Sequence, residues 1–122
     1  MSEKLTFGSF GEELVEPYYK KRGFFIAFKN YYSPFGEIDL IAESKTTVVF
    51  IEVKVRRKSA GYLPREAVNQ DKIYKIKKTA DHFLHKSRLY SFLQPRFDVA
   101  EITLDENNSF ENATIKIIEN AF

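Results

Sequence analysis

The chain carries GEIDLI at residues 36–41 and, after a turn signal at residues 44–46, FIEVKVR at residues 50–56. Both segments are rich in Ile, Leu, Val and Phe, which predicts two consecutive buried strands. Each also carries a carboxylate where a buried strand normally has an apolar side chain, and in the second strand a lysine follows two positions later. These two segments therefore place charge inside a predicted sheet, where its burial is costly unless the charge is compensated.

Strand alternation indicates which of these charged side chains lie together. Glu52, Lys54 and Arg56 are predicted to share one face of their strand, because alternate residues of a strand point the same way. If the two strands pair as a hairpin around residues 44–46, Asp39 and Glu52 come close to each other. A slip of one residue in the register would separate them.

Two carboxylates in contact repel each other, so either one is protonated or a cation lies between them. Mg²⁺ or Mn²⁺ would suit the position, because Mg²⁺ prefers oxygen ligands and can bind both a phosphate and an attacking water. Lys54 would stabilise negative charge on the phosphate. The same alternation predicts that Ile38 and Leu40 share the face opposite Asp39. The alternative interpretation is a cross-strand salt network of the charged residues on a solvated face.

Length and composition limit the class of protein. The 122 residues fit a single domain, residues 1–122. The absence of cysteine excludes a disulfide framework, a cysteine-based zinc site and a thiol nucleophile. No segment has the pattern of a signal peptide or the length of a membrane span, so we expect a cytoplasmic protein without a membrane partner.

Positive charge is concentrated in one part of the chain. Residues 54–88 contain eleven Lys or Arg against three Asp or Glu, whereas the rest contains eight against fourteen. Such a basic segment suits a face that meets phosphates, and it equally suits a solvated, lysine-rich helix. An aromatic group at Tyr31, Tyr32 and Phe35 could stack on bases, although ordinary packing is the favoured interpretation.

Periodicity and turn signals predict a small α/β domain around one mixed sheet. The N-terminal helix is expected to begin at Ser9, with Glu12 completing a capping box, and Pro17 is a potential kink. A turn is predicted over residues 30–35, and the first three strands are expected to form an antiparallel meander. The predicted helices cover residues 9–22 and 66–89, and the strands cover residues 24–29, 37–43, 47–56, 96–104 and 113–118.

Five motifs together resemble the YraN-like family of small bacterial proteins: GSFGE at 8–12, GEIDLI at 36–41, FIEVKVR at 50–56, RFDV at 96–99 and NAF at 120–122. The resemblance spans essentially the whole chain. That family is similar to the PD-(D/E)xK nuclease superfamily, and especially to archaeal Holliday junction resolvases. It implies a restriction-endonuclease-like core, in which a central mixed β-sheet is flanked by helices.

The resemblance also implies roles for individual residues. Asp39 and Glu52 correspond to the metal-binding acids, and Lys54 corresponds to the catalytic lysine. Glu12 matches an acid of the first helix that helps to hold the metal or its water. The backbone carbonyl of Val53 is a further plausible ligand.

The function implied is a Mg²⁺- or Mn²⁺-dependent endonuclease acting on branched or structured DNA, and analogy with the resolvases implies a homodimer. A non-catalytic nucleic-acid-binding or adaptor protein that retains the nuclease fold is the alternative, and a purely structural protein with a surface salt network is a third possibility. Five basic residues and one glutamine, at the end of the strand that carries Glu52 and Lys54 or in the segment after it, are expected to contact nucleic acid: Arg56, Arg57, Lys58, Gln70, Lys72 and Lys75.

Overall fold

The structure, a computed structural model, describes residues 7–58 and 69–122. Within these residues the predicted order of helix, three strands, helix and two strands is confirmed, and a short 3₁₀ helix precedes the fourth strand. The elements are α1 (Phe7–Lys20), β1 (Phe25–Ser33), β2 (Gly36–Glu43), β3 (Thr47–Arg56), α2 (Gln70–Leu84), the 3₁₀ helix (Arg88–Phe92), β4 (Gln94–Thr103) and β5 (Thr114–Ile118).

The five strands form one mixed sheet in the order β1-β2-β3-β4-β5. The pairs β1–β2, β2–β3 and β4–β5 are antiparallel, and β3–β4 is parallel. The predicted meander of the first three strands is therefore confirmed. Because parallel neighbours need a long crossover, the chain passes through α2 between β3 and β4. This arrangement places β3, the strand with the acid and the lysine, at the centre of the sheet.

One helix covers each face of the sheet, which confirms the predicted sheet flanked by helices. Val49 and Ile51 of β3 pack in a cluster with α1, whereas Val48 and Phe50 pack in a second cluster with α2. Alternate residues of β3 thus enter opposite cores. The helical residues buried in these clusters are Val15 and Tyr19 of α1, and Ile76, Ala80 and Phe83 of α2.

The alternation of β2 is interrupted at Asp39. Ile38 packs in the cluster beneath α2 and Leu40 in the cluster beneath α1, so the prediction that they share a face is wrong. Asn30 of β1 lies between the two residues that pair with Leu40 and Ile38, and its φ is 52°. This left-handed conformation, which Asn tolerates better than most residues, accompanies the change of face.

The boundaries of α1 and β1 differ from the prediction. Helix α1 begins before Ser9, so the predicted capping box is wrong, and Pro17 lies inside the helix without ending it. The chain leaves the helix through Gly23, whose φ of 87° favours glycine. Strand β1 continues to Ser33, so the predicted turn over residues 30–35 is reduced to two residues between β1 and β2.

Helix α2 begins later and ends earlier than the predicted helix over residues 66–89, of which residues 66–68 lie outside the described residues. It begins after Asn69, whose side-chain oxygen accepts a hydrogen bond from the backbone amide of Lys72 at 2.9 Å. This is the usual chemistry of an N-cap. The helix ends at Leu84, and Ser87 caps the 3₁₀ helix that follows. Neither α1 nor α2 is long and apolar enough to span a membrane.

Candidate active site

Asp39 and Glu52 meet where β2 and β3 separate. The paired register of the two strands ends at Leu40 opposite Ile51, which makes Asp39 and Glu52 the next opposed residues. Beyond this point the Val53 amide donates a hydrogen bond to Asp39 Oδ2 at 2.7 Å. The carboxylate thus satisfies a backbone donor of the central strand after the ladder has ended. The structure brings together the two acids that the sequence placed in neighbouring strands.

The protonation of Asp39 reflects this position. Burial is the largest cause of a rise in the pKa of Asp39 to about 8, and the negative charge of Glu52 adds to the rise. A hydrogen bond between the two side chains favours the protonated form, whereas the Val53 amide opposes it. Near neutral pH the Asp39 carboxyl group is therefore largely protonated, which removes its repulsion of Glu52.

Glu52 is 6% exposed and is compensated by two lysines. Lys54 Nζ lies 3.1 Å and Lys72 Nζ lies 2.6 Å from the same carboxylate oxygen, Oε2. Burial and the neighbouring Lys72 lower the pKa of Lys54. Burial is the largest single cause acting on Lys72 and lowers its pKa, but the interactions with Glu52, Lys54 and Asp39 together outweigh burial, so the pKa of Lys72 is raised. A buried carboxylate with two ammonium groups forms the charged centre of the site.

The contact between Lys72 and Glu52 is the feature that sequence reasoning missed. Lys72 was predicted as a nucleic-acid contact, whereas its side chain reaches the carboxylate of the central strand. The Asn69 cap holds the first turn of α2, and the helix crosses the sheet so that this turn stands beside β3. No spacing pattern in the sequence encodes that crossing.

Glu12 approaches the site from α1 but is not part of the carboxylate pair. It is buried, and its Oε1 accepts a hydrogen bond from Asn30 Nδ2 at 3.3 Å. Burial raises the pKa of Glu12, and its charge contributes to the raised pKa of Asp39. Asn30 was not predicted as a site residue; its one sequence signal is that Asn tolerates the conformation observed there.

The predicted nucleic-acid contacts at the end of β3 differ in exposure. Arg56 is the last residue of β3 and is half-buried. Arg57 and Lys58 follow it and are exposed. Lys58 Nζ lies 3.7 Å from Glu106 Oε1, an ion pair on the surface. Arg57 and Lys58 are thus accessible to a polyanion, whereas Arg56 is partly enclosed.

The remaining predicted contacts lie on the first turns of α2. Gln70 and Lys75 are exposed, and Lys75 Nζ lies 3.2 Å from Asp71 Oδ2. Farther along the helix, His82 Nδ1 lies 2.8 Å from the hydroxyl of Tyr31.

Comparison with known proteins places the chain in a family. A family model described as "Uncharacterised protein family UPF0102" matches residues 11–102. The chain belongs to this family. A UPF0102 protein of Clostridium botulinum (strain 657) is 44% identical over 118 residues, which cover 94% of this chain and 92% of the relative. One from Clostridium acetobutylicum (strain ATCC 824) is 41% identical over 117 residues, with the same coverage. The resemblance to the YraN-like family is confirmed.

The oxygen donors of the site suit a hard divalent cation. In residues 7–58 and 69–122, no three Asp, Glu, His or Cys side chains are grouped closely enough to hold one ion. Mg²⁺, however, is commonly held by one or two carboxylates, with waters and substrate phosphates completing its shell. Asp39 and Glu52 provide such a pair, and a cation there would offset the burial and the repulsion by Glu52 that together raise the pKa of Asp39.

Proposed function

We propose that this chain is a metal-dependent nuclease that hydrolyses phosphodiester bonds in branched or structured DNA. The observation that supports it most directly is the opposition of Asp39 and Glu52 at the fork between β2 and β3, with Lys54 bonded to Glu52. An acid on β2, together with an acid and a lysine on the central strand β3, provides metal ligands and a positive charge at one point. Family membership alone does not assign this activity, so the proposal rests on the site.

Asp39 and Glu52 would hold Mg²⁺ or Mn²⁺ through their carboxylate oxygens. When bound, such an ion polarises a phosphoryl oxygen and lowers the pKa of a coordinated water. Asp39 is oriented for this role by the Val53 amide, which fixes one of its oxygens at 2.7 Å. Its raised pKa means that binding a cation near neutral pH requires the carboxyl group to release its proton.

Lys54 would stabilise negative charge on the phosphate. Its ammonium group lies 3.1 Å from Glu52, on a strand at the centre of the sheet, so its position is set by the scaffold rather than by a loop. Burial lowers its pKa, which makes proton release easier than from an ordinary lysine. Glu12, held by Asn30, would support the ligands from the α1 side.

DNA would be attracted by the exposed cations around the site, chiefly Arg57, Lys58 and Lys75. A branched molecule offers two equivalent strands, and a symmetric homodimer would present one site to each. Light scattering on the purified protein tests that part of the proposal. A strict monomer at micromolar concentration, with and without a four-way junction, would contradict the proposed dimer. It would not contradict the proposed nuclease activity.

The experiment that tests the activity is a cleavage assay on labelled duplex, single strand, flap and four-way junction, each with Mg²⁺ or Mn²⁺. A Glu52→Ala, Lys54→Ala double variant, purified in parallel, reports contaminating nucleases. Cleavage by the unmodified protein and not by the variant supports the proposal. Binding without cleavage in either metal contradicts it.

One observation favours a second candidate, a nucleic-acid-binding or adaptor protein that retains the fold without the activity. Lys72 already neutralises Glu52 at 2.6 Å, in addition to Lys54. An internal ammonium group can replace a metal as the partner of a buried carboxylate. This candidate predicts DNA binding that is unchanged by EDTA and by Asp39→Asn.

A further inference from the structure

Two exposed aromatic rings lie close to one lysine of α2. Phe35, in the turn between β1 and β2, is 47% exposed, and Tyr74 of α2 is 60% exposed. Lys78 Nζ lies 5.6 Å from the centroid of the Phe35 ring and 5.7 Å from that of Tyr74. Both exposed rings thus lie close to the same ammonium group.

The turn that carries Phe35 is held against α2. Ser33 Oγ lies 2.9 Å from Thr79 Oγ1, and the Phe35 amide donates a hydrogen bond to Ser33 Oγ at 3.0 Å. A Cβ added at Gly36 would lie 3.6 Å from Lys75 Cβ and 3.7 Å from Thr79 Oγ1, so the start of β2 runs close to α2. The positions of the two rings are therefore set by two packed elements.

We propose that Phe35, Tyr74, Lys75 and Lys78 form a stacking site for unpaired nucleotides of DNA, here called the aromatic–lysine shelf. The inference rests on the proposed function and narrows its substrate to DNA with a single-stranded segment beside the cleaved bond. Exposed aromatic rings stack on bases regardless of sequence, and neighbouring lysines neutralise the phosphates between those bases.

The shelf is continuous with the carboxylate site along α2. Lys72, Lys75 and Lys78 follow each other at intervals of three residues, so Lys78 lies roughly 9 Å along the helix axis from Lys72. Lys72 in turn touches Glu52. The backbone of a DNA strand whose bases stack on the shelf could thus run along α2 toward Asp39 and Glu52. Flaps and junctions offer such strands, and a blunt duplex does not.

Charge distinguishes this shelf from the aromatic group predicted from the sequence. Tyr31 is buried and packs against Phe83, as ordinary packing predicts. Tyr32 is exposed, but Glu37 and other acids raise the pKa of its hydroxyl, so it stands in a negative environment that would repel phosphates. Phe35 instead faces the lysines of α2. Those lysines also disfavour a second copy of the chain as the occupant, because two shelves would bring like charges together.

The test is fluorescence anisotropy with labelled single-stranded DNA, duplex and single-stranded RNA of equal length, in EDTA so that cleavage is excluded. Single-stranded DNA is expected to bind more tightly than the duplex, because stacking needs unpaired bases, and at least as tightly as the RNA. The Phe35→Ala, Tyr74→Ala double variant is expected to lose about tenfold or more in affinity for it. Tyr74→Phe keeps the ring and should bind normally. Phe92→Ala, which removes a ring that is 85% exposed in the 3₁₀ helix, is the matched control.

Equal binding by the double variant and the unmodified protein overturns the shelf, as does a preference for duplex or for RNA. A change of molecular mass in the double variant, measured by light scattering, would assign the rings to a contact between copies and also overturn it. These outcomes are independent of catalysis. If the rings are needed for binding but no cleavage is seen, the shelf is supported and the nuclease activity is contradicted. If cleavage is seen and loss of the rings does not affect it, the nuclease activity is supported and the shelf is contradicted.

Discussion

The Val53 amide donates a hydrogen bond to Asp39 Oδ2 across 2.7 Å, at the point where β2 and β3 stop pairing. A side chain here takes the place that a backbone carbonyl would occupy if the ladder continued. The bond holds Asp39 against the central strand and beside Glu52. The same carboxylate thus links β2 to β3 beyond their last paired residues and forms half of the candidate metal site.

The protonation of Asp39 predicts a pH dependence of stability. The pKa of Asp39 is about 8 in the folded chain, whereas the pKa of an aspartate in an unfolded chain is about 3.9. Between these values the folded state binds more protons, so the free energy of unfolding falls as pH rises, and beyond them Asp39 contributes no slope. Urea unfolding at several pH values should show this decline. Asp39→Asn should flatten it, and an unchanged slope would contradict the assignment.

Binding of a divalent cation should be visible without any substrate. Mg²⁺ or Mn²⁺ is expected to raise the melting temperature, because a ligand that binds only the folded state stabilises it. Asp39→Asn and Glu52→Gln should each abolish the rise, whereas Asp71→Asn, which changes an exposed acid of α2, should retain it. A rise that persists in both site variants would place the cation elsewhere.

Removing Lys72 should strengthen metal binding. Its ammonium group competes with a cation for Glu52 Oε2 from 2.6 Å. Because Lys72 is partly exposed, a change of about two- to fivefold in affinity is expected for Lys72→Ala. Calorimetric titration with Mn²⁺ measures it, and Lys75→Ala, which loses only the ion pair with Asp71, is the control. Weaker binding in Lys72→Ala would show instead that the lysine orients Glu52 for the metal.

A buried network around Asp98 should dominate the stability of the sheet's second half. Asp98 is fully buried and accepts hydrogen bonds from Arg96 at 3.0 and 2.9 Å, from the Tyr19 hydroxyl at 2.7 Å and from the Asn120 amide at 3.2 Å. Asp98→Ala should cost about 3–5 kcal/mol, because Arg96, Tyr19 and Asn120 lose their shared buried acceptor and Arg96 keeps only Glu119, at 3.8 Å. Tyr19→Phe should cost about 1.5–3 kcal/mol. Urea denaturation measures both, and a loss below about 1 kcal/mol for Asp98→Ala would contradict this role.

Gly11 sets how closely α1 approaches the central strands. A Cβ at this position would lie 3.0 Å from methyl groups of Val53 and Val55 and 3.1 Å from Ile102 Cδ1. Gly11→Ala should therefore destabilise the fold by on the order of 1 kcal/mol, since overpacking outweighs the gain in helix propensity. Glu13→Ala, at an exposed position of the same helix, should be nearly neutral. The melting temperatures of the two variants test this prediction. An unchanged melting temperature for Gly11→Ala would show that the contact between α1 and the sheet tolerates a Cβ at this position.

Local patterns determined much of this architecture. The turn signal at residues 44–46 and the flanking apolar runs predicted the β2–β3 hairpin, and counting from that turn was sufficient to oppose Asp39 and Glu52. The structure begins α2 at Gln70 rather than at residue 66, because Asn69 is the N-cap of the helix and was not recognised as such in the sequence. Alternation also failed at Asp39, where the irregularity opposite it in β1 is a property of two paired strands rather than of one segment.

Local signals in the sequence predicted the order of the elements, the mixed α/β class and the placement of two acids and a lysine on neighbouring strands, because turns, alternation and helical periodicity are short-range. Only the folded chain shows that Lys72 reaches Glu52, that Asn30 holds Glu12, and that Lys78 lies beside the Phe35 ring. These contacts join residues far apart in the chain. They depend on the angle at which each helix crosses the sheet, which is set by packing of the whole core and not by any local pattern.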